Sequence, residues 1–328
     1  NILNMIGVEG KRFSIEKLQR MFHIYLLRRT KHNLKKKYKL NKPTVYITPI
    51  ELKGEERILY KNQHKRTVHL LKMFSFILNN SLEMLSWLSK MRQVSIHPQL
   101  LQNHYHKSYN KYKTEWINEQ SKFDKLMELI KSHPNDSALV FCYYHEEIDM
   151  LEKQFKDKNI SILKYDGRCS NDTKKQILSR CSSLDYKKYI QLLSVSLNKT
   201  LYLSTDIQQK IYNYCKVDVL IMQINSGSVG LNLQQFNHIY FTSPHYNPAI
   251  EDQAIGRCYR FGQKKPVTVH KLISVLPKDD NIKTLEQNIL DIQQRKRITQ
   301  AEILEDNTLC ENGTYNISKE DIKYMLGL

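Results

Sequence analysis

The chain has 328 residues, 41% of them hydrophobic, and carries 51 Lys+Arg against 33 Asp+Glu for a net charge of +18. That length allows two domains, or one with extensions, and no apolar run reaches the roughly eighteen residues of a membrane-crossing helix. The six cysteines, at 142, 169, 181, 215, 258 and 310, form no CxxC or Cys/His zinc spacing, so reduced thiols in an intracellular compartment are expected. The charge is uneven: residues 1–120 hold 23 Lys+Arg against 8 Asp+Glu, and the rest 28 against 25. Such a basic segment points to a polyanion partner; the plainer reading is solubility alone.

The start, NILNMIGVEG, lacks the charged-then-apolar pattern of a signal peptide and reads as an internal cut from a longer polypeptide. Phe13, Ile15, Leu18, Met21 and Phe22 follow a helical period. IYLLRRTKHNLKKKYKL then reads as a solvated basic stretch. TVYITPI, 44–50, reads as a strand ending at Pro49. A long helical stretch runs from Glu55 to Leu88. His97-Pro98 reads as a helix end, because the residue before proline leaves the helical region. Residues 101–120, polar and tyrosine-rich, read as an exposed connection.

SKFDKLMELI, 121–130, predicts a helix capped by Ser121 with Phe123, Leu126, Met127 and Ile130 as its core face. Strands follow at 138–143, 160–165 and 217–222, with helices at 146–156 and 171–180. This alternation argues for a parallel sheet. Ligands favour the carboxyl ends of such strands. Tyr143, Tyr144 and His145 lie at one such end and suit either a ligand-lining edge or an aromatic shelf in the core. Arg168, in an Asp-Gly-Arg turn, reads from the residues alone as an ordinary turn residue. The interval 181–216 has apolar residues at helical spacing and reads as an ordered insertion.

The stretch from Gln223 to Gln263, QINSGSVGLNLQQFNHIYFTSPHYNPAIEDQAIGRCYRFGQ, carries the chemistry. A glycine turn with Gly227 and Gly230 leads to a strand at 239–241, a loop with two prolines, and a helix opening at Pro248. On that helix Gln253, Arg257 and Arg260 are spaced to share one face. Glu251 and Asp252, near its start, serve the macrodipole. Two arginines lacking acids at helical spacing suit an external anion, bidentate phosphate above all; the plainer reading is a solvated basic face. A strand follows at 266–273, then a helix over 282–297 with Leu285, Ile289 and Ile292 on one face.

GSVGLNLQ, SPHYNPAIEDQ and QAIGRCYRFGQ resemble motifs V and VI of the Snf2 family of superfamily-2 ATPases. LLRRT-K, LSKMRQVSIHPQL and TLEQNILDIQQRK are similar to further segments of that family, in the same order, over roughly residues 25–300. Departures stand at Ser228, Ser243, His245, Cys258 and Tyr259. The resemblance implies an α/β fold, a RecA-like parallel sheet flanked by helices, preceded by a mainly helical basic segment. It divides the chain into a lobe 1 tail (1–40), a basic helical linker (41–120), the helicase C-terminal lobe (121–300, inserted at 181–216) and an extension (301–328).

By the same resemblance, Arg257 and Arg260 are arginine fingers to ATP, with Gly227, Gly230 and Gln253 beside the nucleotide. Tyr143, Tyr144, His145, Arg168, Asn232 and Gln234 are implied DNA contacts. ATP and Mg²⁺ would be held mainly by another lobe, because the chain has neither G-x-x-x-x-G-K-[ST] nor an acidic DE-x-H box. Double-stranded DNA and an N-terminal RecA-like lobe are the implied partners, alongside chromatin or transcription proteins. No protein metal site and no membrane are expected. The location would be the nucleus, or a cytoplasmic replication site or virion. A non-enzymatic scaffold and an RNA helicase are the competing readings.

Overall fold

A computed structural model describes residues 11–26, 42–74, 81–109, 115–181, 217–228 and 231–304. Helix α1 (Lys11–Tyr25) comes first. Then come β1 (Thr44–Glu51), α2 (Gly54–Phe74), α3 (Ser81–Ile96) and α4 (Pro98–Tyr109). The middle of the chain forms α5 (Ser121–Lys131), β2 (Ala138–Cys142), α6 (His145–Asp157), β3 (Ile162–Tyr165) and α7 (Asn171–Cys181). The last part forms β4 (Val219–Gln223), a 3₁₀ turn (Ile224–Ser228), β5 (His238–Phe241), α8 (Pro248–Cys258), β6 (Thr268–Val275), a second 3₁₀ turn (Lys278–Asp280) and α9 (Leu285–Leu304). The expected insertion, the basic stretch before β1 and the C-terminal extension lie largely outside the described residues.

The strands make one six-stranded sheet in the order β1-β6-β5-β2-β4-β3, every pairing parallel. This is the RecA-like α/β architecture. Apolar runs such as ALVFC in β2, buried at every position, reflect a sheet covered on both faces. One face packs Val140, Ile221 and Leu272 against α5 and α6 through Phe123, Leu126, Ile148, Leu151 and Phe155. The other packs Leu139, Phe141, Met222 and Ile239 against α7 and α8 through Ile177, Ala254 and Ile255. A third core joins Tyr60, Trp87, Met91 and Val94 to Leu285, Ile289 and Ile292 of α9.

The sheet begins well before residue 121. β1, from the expected linker, pairs along its whole length with β6, from Thr44 opposite Thr268 to Glu51 opposite Val275. It also continues past Pro49, contrary to the expected stop. Thr44 and Leu52 donate their N–H groups to Val267 and Val275, so even-numbered residues face β6. Pro49 therefore turns its nitrogen to the open edge, where no ladder bond is lost. Two more expectations change. Residues 101–109 continue α4, with Leu101 buried in the third core, so this part of the expected exposed connection is helix. Ser121 is the first residue of α5 and not its cap; Gln120 holds the cap position without a side-chain bond. The face Phe123, Leu126, Met127 and Ile130 is buried as the spacing predicts.

His97 sits between α3 and α4, at the break expected of His-Pro. Its Nδ1 accepts the Gln99 N–H at 3.1 Å, its Nε2 lies 3.2 Å from Gln120 Oε1, and burial lowers its pKa to about 4. His245 is lowered to about 4 as well, by burial first and then by the charge of Arg92. Both fold as neutral rings below the ordinary value of 6.5. The unfolded chain therefore binds these protons first as pH falls. Stability should be intact above about pH 6.5 and decline progressively toward pH 4, each ring contributing on the order of 3 kcal/mol. Urea titrations at pH 7, 6, 5 and 4.5 check this, with His97→Gln expected to flatten the slope.

Candidate functional site

Because every strand is parallel, their carboxyl ends line one edge of the sheet. Tyr143–His145 follow β2 there, Asp166–Arg168 follow β3, Ile224–Ser228 follow β4, and Thr242–Asn247 follow β5. Helix α8 rises from the last of these. Asn247 caps it, accepting the Ala249 N–H at 3.1 Å, and Pro248 sits in its first turn. The side chains of Glu251 and Asp252 do more than serve the helix dipole. Glu251 is fully buried and accepts the His245 N–H at 2.6 Å; its other oxygen lies 2.5 Å from Lys271 Nζ of β6. Gln293 of α9 donates to Glu251 at 2.9 Å and accepts from Lys271 at 3.1 Å. Asp252 pairs with Arg297 at 3.0 Å. The start of α8 is thus bolted to β6 and α9.

The far end of α8 meets the glycine turn. The helix stops at Cys258, and Tyr259 leaves helical geometry at ψ 79°. Gln253 and Arg257 share the helix, Gln253 exposed and Arg257 half-buried, but Arg260 lies in the bend beyond it. That corrects the single helical face expected for all three. The backbone carbonyl of Arg257 accepts the Leu233 N–H at 3.1 Å, and Arg260 Nη1 donates to the Leu231 carbonyl at 3.3 Å. Burial, and then the charge of Arg260, hold the pKa of Arg257 below its ordinary value. Two guanidinium groups therefore repel one another beside the glycine turn. Gly227 lies in the 3₁₀ turn after β4; Gly230 lies outside the described residues.

Gln263 closes this junction. Its amide donates to the carbonyls of Gln234 at 2.7 Å, Cys258 at 3.3 Å and Phe236 at 3.4 Å. Gln234 returns a bond to the Phe261 carbonyl, and Asn232 reaches Gln234 Oε1 at 3.5 Å. Gln234, expected to couple to DNA, spends its side chain on this latch. Gly262 sits within it at φ +93°, where a Cβ would also meet the Gln234 amide at 3.4 Å. Gly262→Ala should cost about 1–2 kcal/mol from that backbone region, read as a lowered Tm with the sheet's circular dichroism unchanged.

The expected DNA contacts at the other strand ends are engaged within the fold. Arg168 donates two bonds to Asp149, at 2.7 and 2.8 Å, and two to Asp166, at 2.6 and 3.0 Å. Its charge is already answered by two carboxylates, so it reads as a clamp between the turn and α6. Tyr143 stacks on His245 with ring centres 5.9 Å apart, the arrangement of the aromatic-shelf alternative. The Tyr144 hydroxyl lies 3.1 Å from Ser89 Oγ. Glu147, buried and with its pKa raised by that burial, accepts the backbone N–H groups of Tyr143 and Tyr144. The start of α6 is therefore capped from within. His145 is more open and lies 3.5 Å from Asp166.

Sequence reasoning missed Gln263, Lys271 and Gln293 as site-building residues. Gln263 and Gln293 were visible within RFGQ and TLE-x-x-I-x-x-x-Q. Lys271 sat inside an apolar strand, and a buried lysine there was itself a signal of an acid opposite.

Residues 121–200 and 203–262 match the model of the helicase conserved C-terminal domain. Over those residues the chain is similar to that helicase domain. An uncharacterised ATP-dependent helicase of Schizosaccharomyces pombe is 28% identical over 61% of this chain and 16% of its own length. The putative ATP-dependent helicase/translocase YwqA of Bacillus subtilis is 26% identical over 96% of this chain and 29% of its own length. The chain thus spans less than a third of the length of either relative. The solved Sulfolobus solfataricus SWI2/SNF2 ATPase core in complex with dsDNA aligns at a TM-score of 0.55 and 20% identity, over 97% of this chain and 57% of that one. At that identity the likeness supports the fold.

Proposed function

We propose that this lobe serves an ATP-dependent translocase acting on double-stranded DNA, with Arg257 and Arg260 placed to meet the nucleotide's phosphates. The observation that carries the reading is the pairing of these two arginines at the end of α8. Each is anchored to the glycine-turn segment, one by its carbonyl and one by its guanidinium. Their mutual repulsion fits a polyanionic ligand between or beside them, and planar guanidinium suits phosphate oxygens. ATP with Mg²⁺ would supply the phosphoryl group that is transferred. The residues of this chain would neutralise charge growing on that group and report its loss through Leu231–Leu233.

The bolted start of α8 supports this reading. A guanidinium aimed at a phosphoryl group must be held to within a fraction of an ångström, and Glu251, Lys271 and Gln293 fix the helix from one side. The lysines and arginines of the first 120 residues would contact DNA phosphates and not bases, giving salt-sensitive, weakly sequence-dependent binding. Several are already engaged: Arg57 and Lys61 pair with Asp280, so they contribute less to that field.

The test compares duplex DNA, single strands and RNA as stimulators of ATP turnover in the full-length ATPase. Duplex DNA should stimulate most strongly. Equal or greater stimulation by RNA would favour an RNA helicase, and no turnover with any nucleic acid would leave a scaffold. The isolated 328-residue chain, lacking a phosphate loop, should hydrolyse no ATP above background with duplex DNA present.

A further inference from the structure

Arg92, on α3, lies far in sequence from the arginines of α8, yet it reaches the loop that launches them. Its guanidinium carbon sits 4.3 Å from the centre of the Tyr143 ring. Its Nη2 donates to the Pro244 carbonyl at 3.4 Å. Tyr143 in turn stacks on His245 at an interplanar angle of 13°, and His245 on Tyr246 at 27°. Lys296 of α9 covers the end of this column, 5.4 Å from the Tyr246 ring centre. The column therefore runs from α3, across the ends of β2 and β5, to α9. It passes through Pro244–Tyr246, the residues directly before the Asn247 cap of α8.

The column is held mainly by stacking. Arg92 Nε, the Tyr143 hydroxyl and the Ser243 hydroxyl are all buried without a hydrogen-bond partner. Tyr143 and Ser243 occupy matching positions, each two residues beyond the last β2–β5 pair, Phe141 opposite Phe241. Unmet buried polar groups are uncommon and costly. Here they gather where a planar cation and aromatic faces fix the loop. Guanidinium stacking on a ring is a modest attraction that strengthens as the pair is desolvated. That suffices to bias a loop conformation without making the global fold depend on it.

We propose that Arg92 is a positioning residue for the arginine-bearing helix, acting through the Tyr143–His245 stack on the loop Ser243–Asn247. This rests on the reading of Arg257 and Arg260 given above. A lysine would not replace it, because an ammonium lacks the planar face and the reach to Pro244.

The experiment uses the full-length ATPase with Arg92→Ala, Arg92→Lys and, in parallel, Arg257→Ala. Hydrogen exchange is followed at the His245 and Asn247 amides, and turnover is measured with saturating duplex DNA. Arg92→Ala should speed exchange of those two amides at least tenfold, with the amides of β2 and β4 unchanged. It should lower kcat at least tenfold while KM for ATP stays within twofold. Arg92→Lys should recover less than half of the lost kcat. Unchanged exchange, or exchange that rises equally in β2 and β4, overturns the proposal. So does kcat within twofold of the parent when Arg257→Ala is inactive. If Arg257→Ala retains full turnover, the phosphate reading fails instead, and the exchange result alone decides the role of Arg92.

Discussion

If the proposed function holds, Arg257→Ala and Arg260→Ala, each made in the full-length protein, should lower DNA-stimulated ATP turnover by about 10³-fold or more while leaving duplex DNA binding within a few-fold. Arginines that neutralise charge on a transferred phosphoryl group are typically worth about 10³–10⁵ in rate, well above the tenfold expected from a residue that only orders a loop. Arg260 also tethers Leu231. Its replacement should therefore disturb the glycine turn as well, and Arg260→Lys should restore little. The double variant should be no worse than the weaker single variant by more than a few-fold, since groups acting on one transition state are not additive. Equal turnover in wild type and variants, with DNA binding intact, would assign the lobe to a scaffold.

The second large effect concerns stability. Lys122 Nζ lies 2.7 Å from both oxygens of Glu286, and both side chains are fully buried. Burial lowers the pKa of Lys122, and Glu286, Glu147 and Glu56 oppose that shift. Glu286 also accepts the Ser274 N–H at 2.6 Å. One ammonium thus answers acids from α2, α6 and α9. Lys122→Met should destabilise the fold by about 3–5 kcal/mol, because it strands a buried carboxylate. Adding Glu286→Gln should recover most of that loss: the amide still accepts from Ser274, and the carboxylate in direct contact with the lost ammonium is neutralised. Urea midpoints of the three proteins decide it. A double variant less stable than Lys122→Met alone would show that the carboxylate is held by something other than Lys122.

Much of the lobe was legible in the chain. The alternation of short apolar runs with amphipathic helices at 121–130, 146–156 and 171–180 announced a parallel sheet, because period and length separate buried strands from helices. Pro248 marked the start of α8, since proline's fixed φ suits a first turn; the Asn247 cap emerged only in the structure. Arg257 and Arg260 stood out by their spacing and by the motifs around them.

What the chain concealed were partnerships across long separations. Arg168 looked open because its second acid, Asp149, is nineteen residues back on α6. Glu251 looked like a dipole residue because Lys271 and Gln293 are remote in sequence and near only in space. β1 looked like part of a linker because a strand's partner is not written in the strand; only pairing with β6 placed it in the sheet. Local propensity and periodicity are properties of neighbouring residues, so the sequence by itself determined the elements, their order and the arginines proposed to meet phosphate. Ion pairing, stacking and sheet order depend on which distant surfaces come into contact. The tertiary structure alone therefore decided which cations are spent inside the fold and how Arg92, Tyr143 and His245 meet.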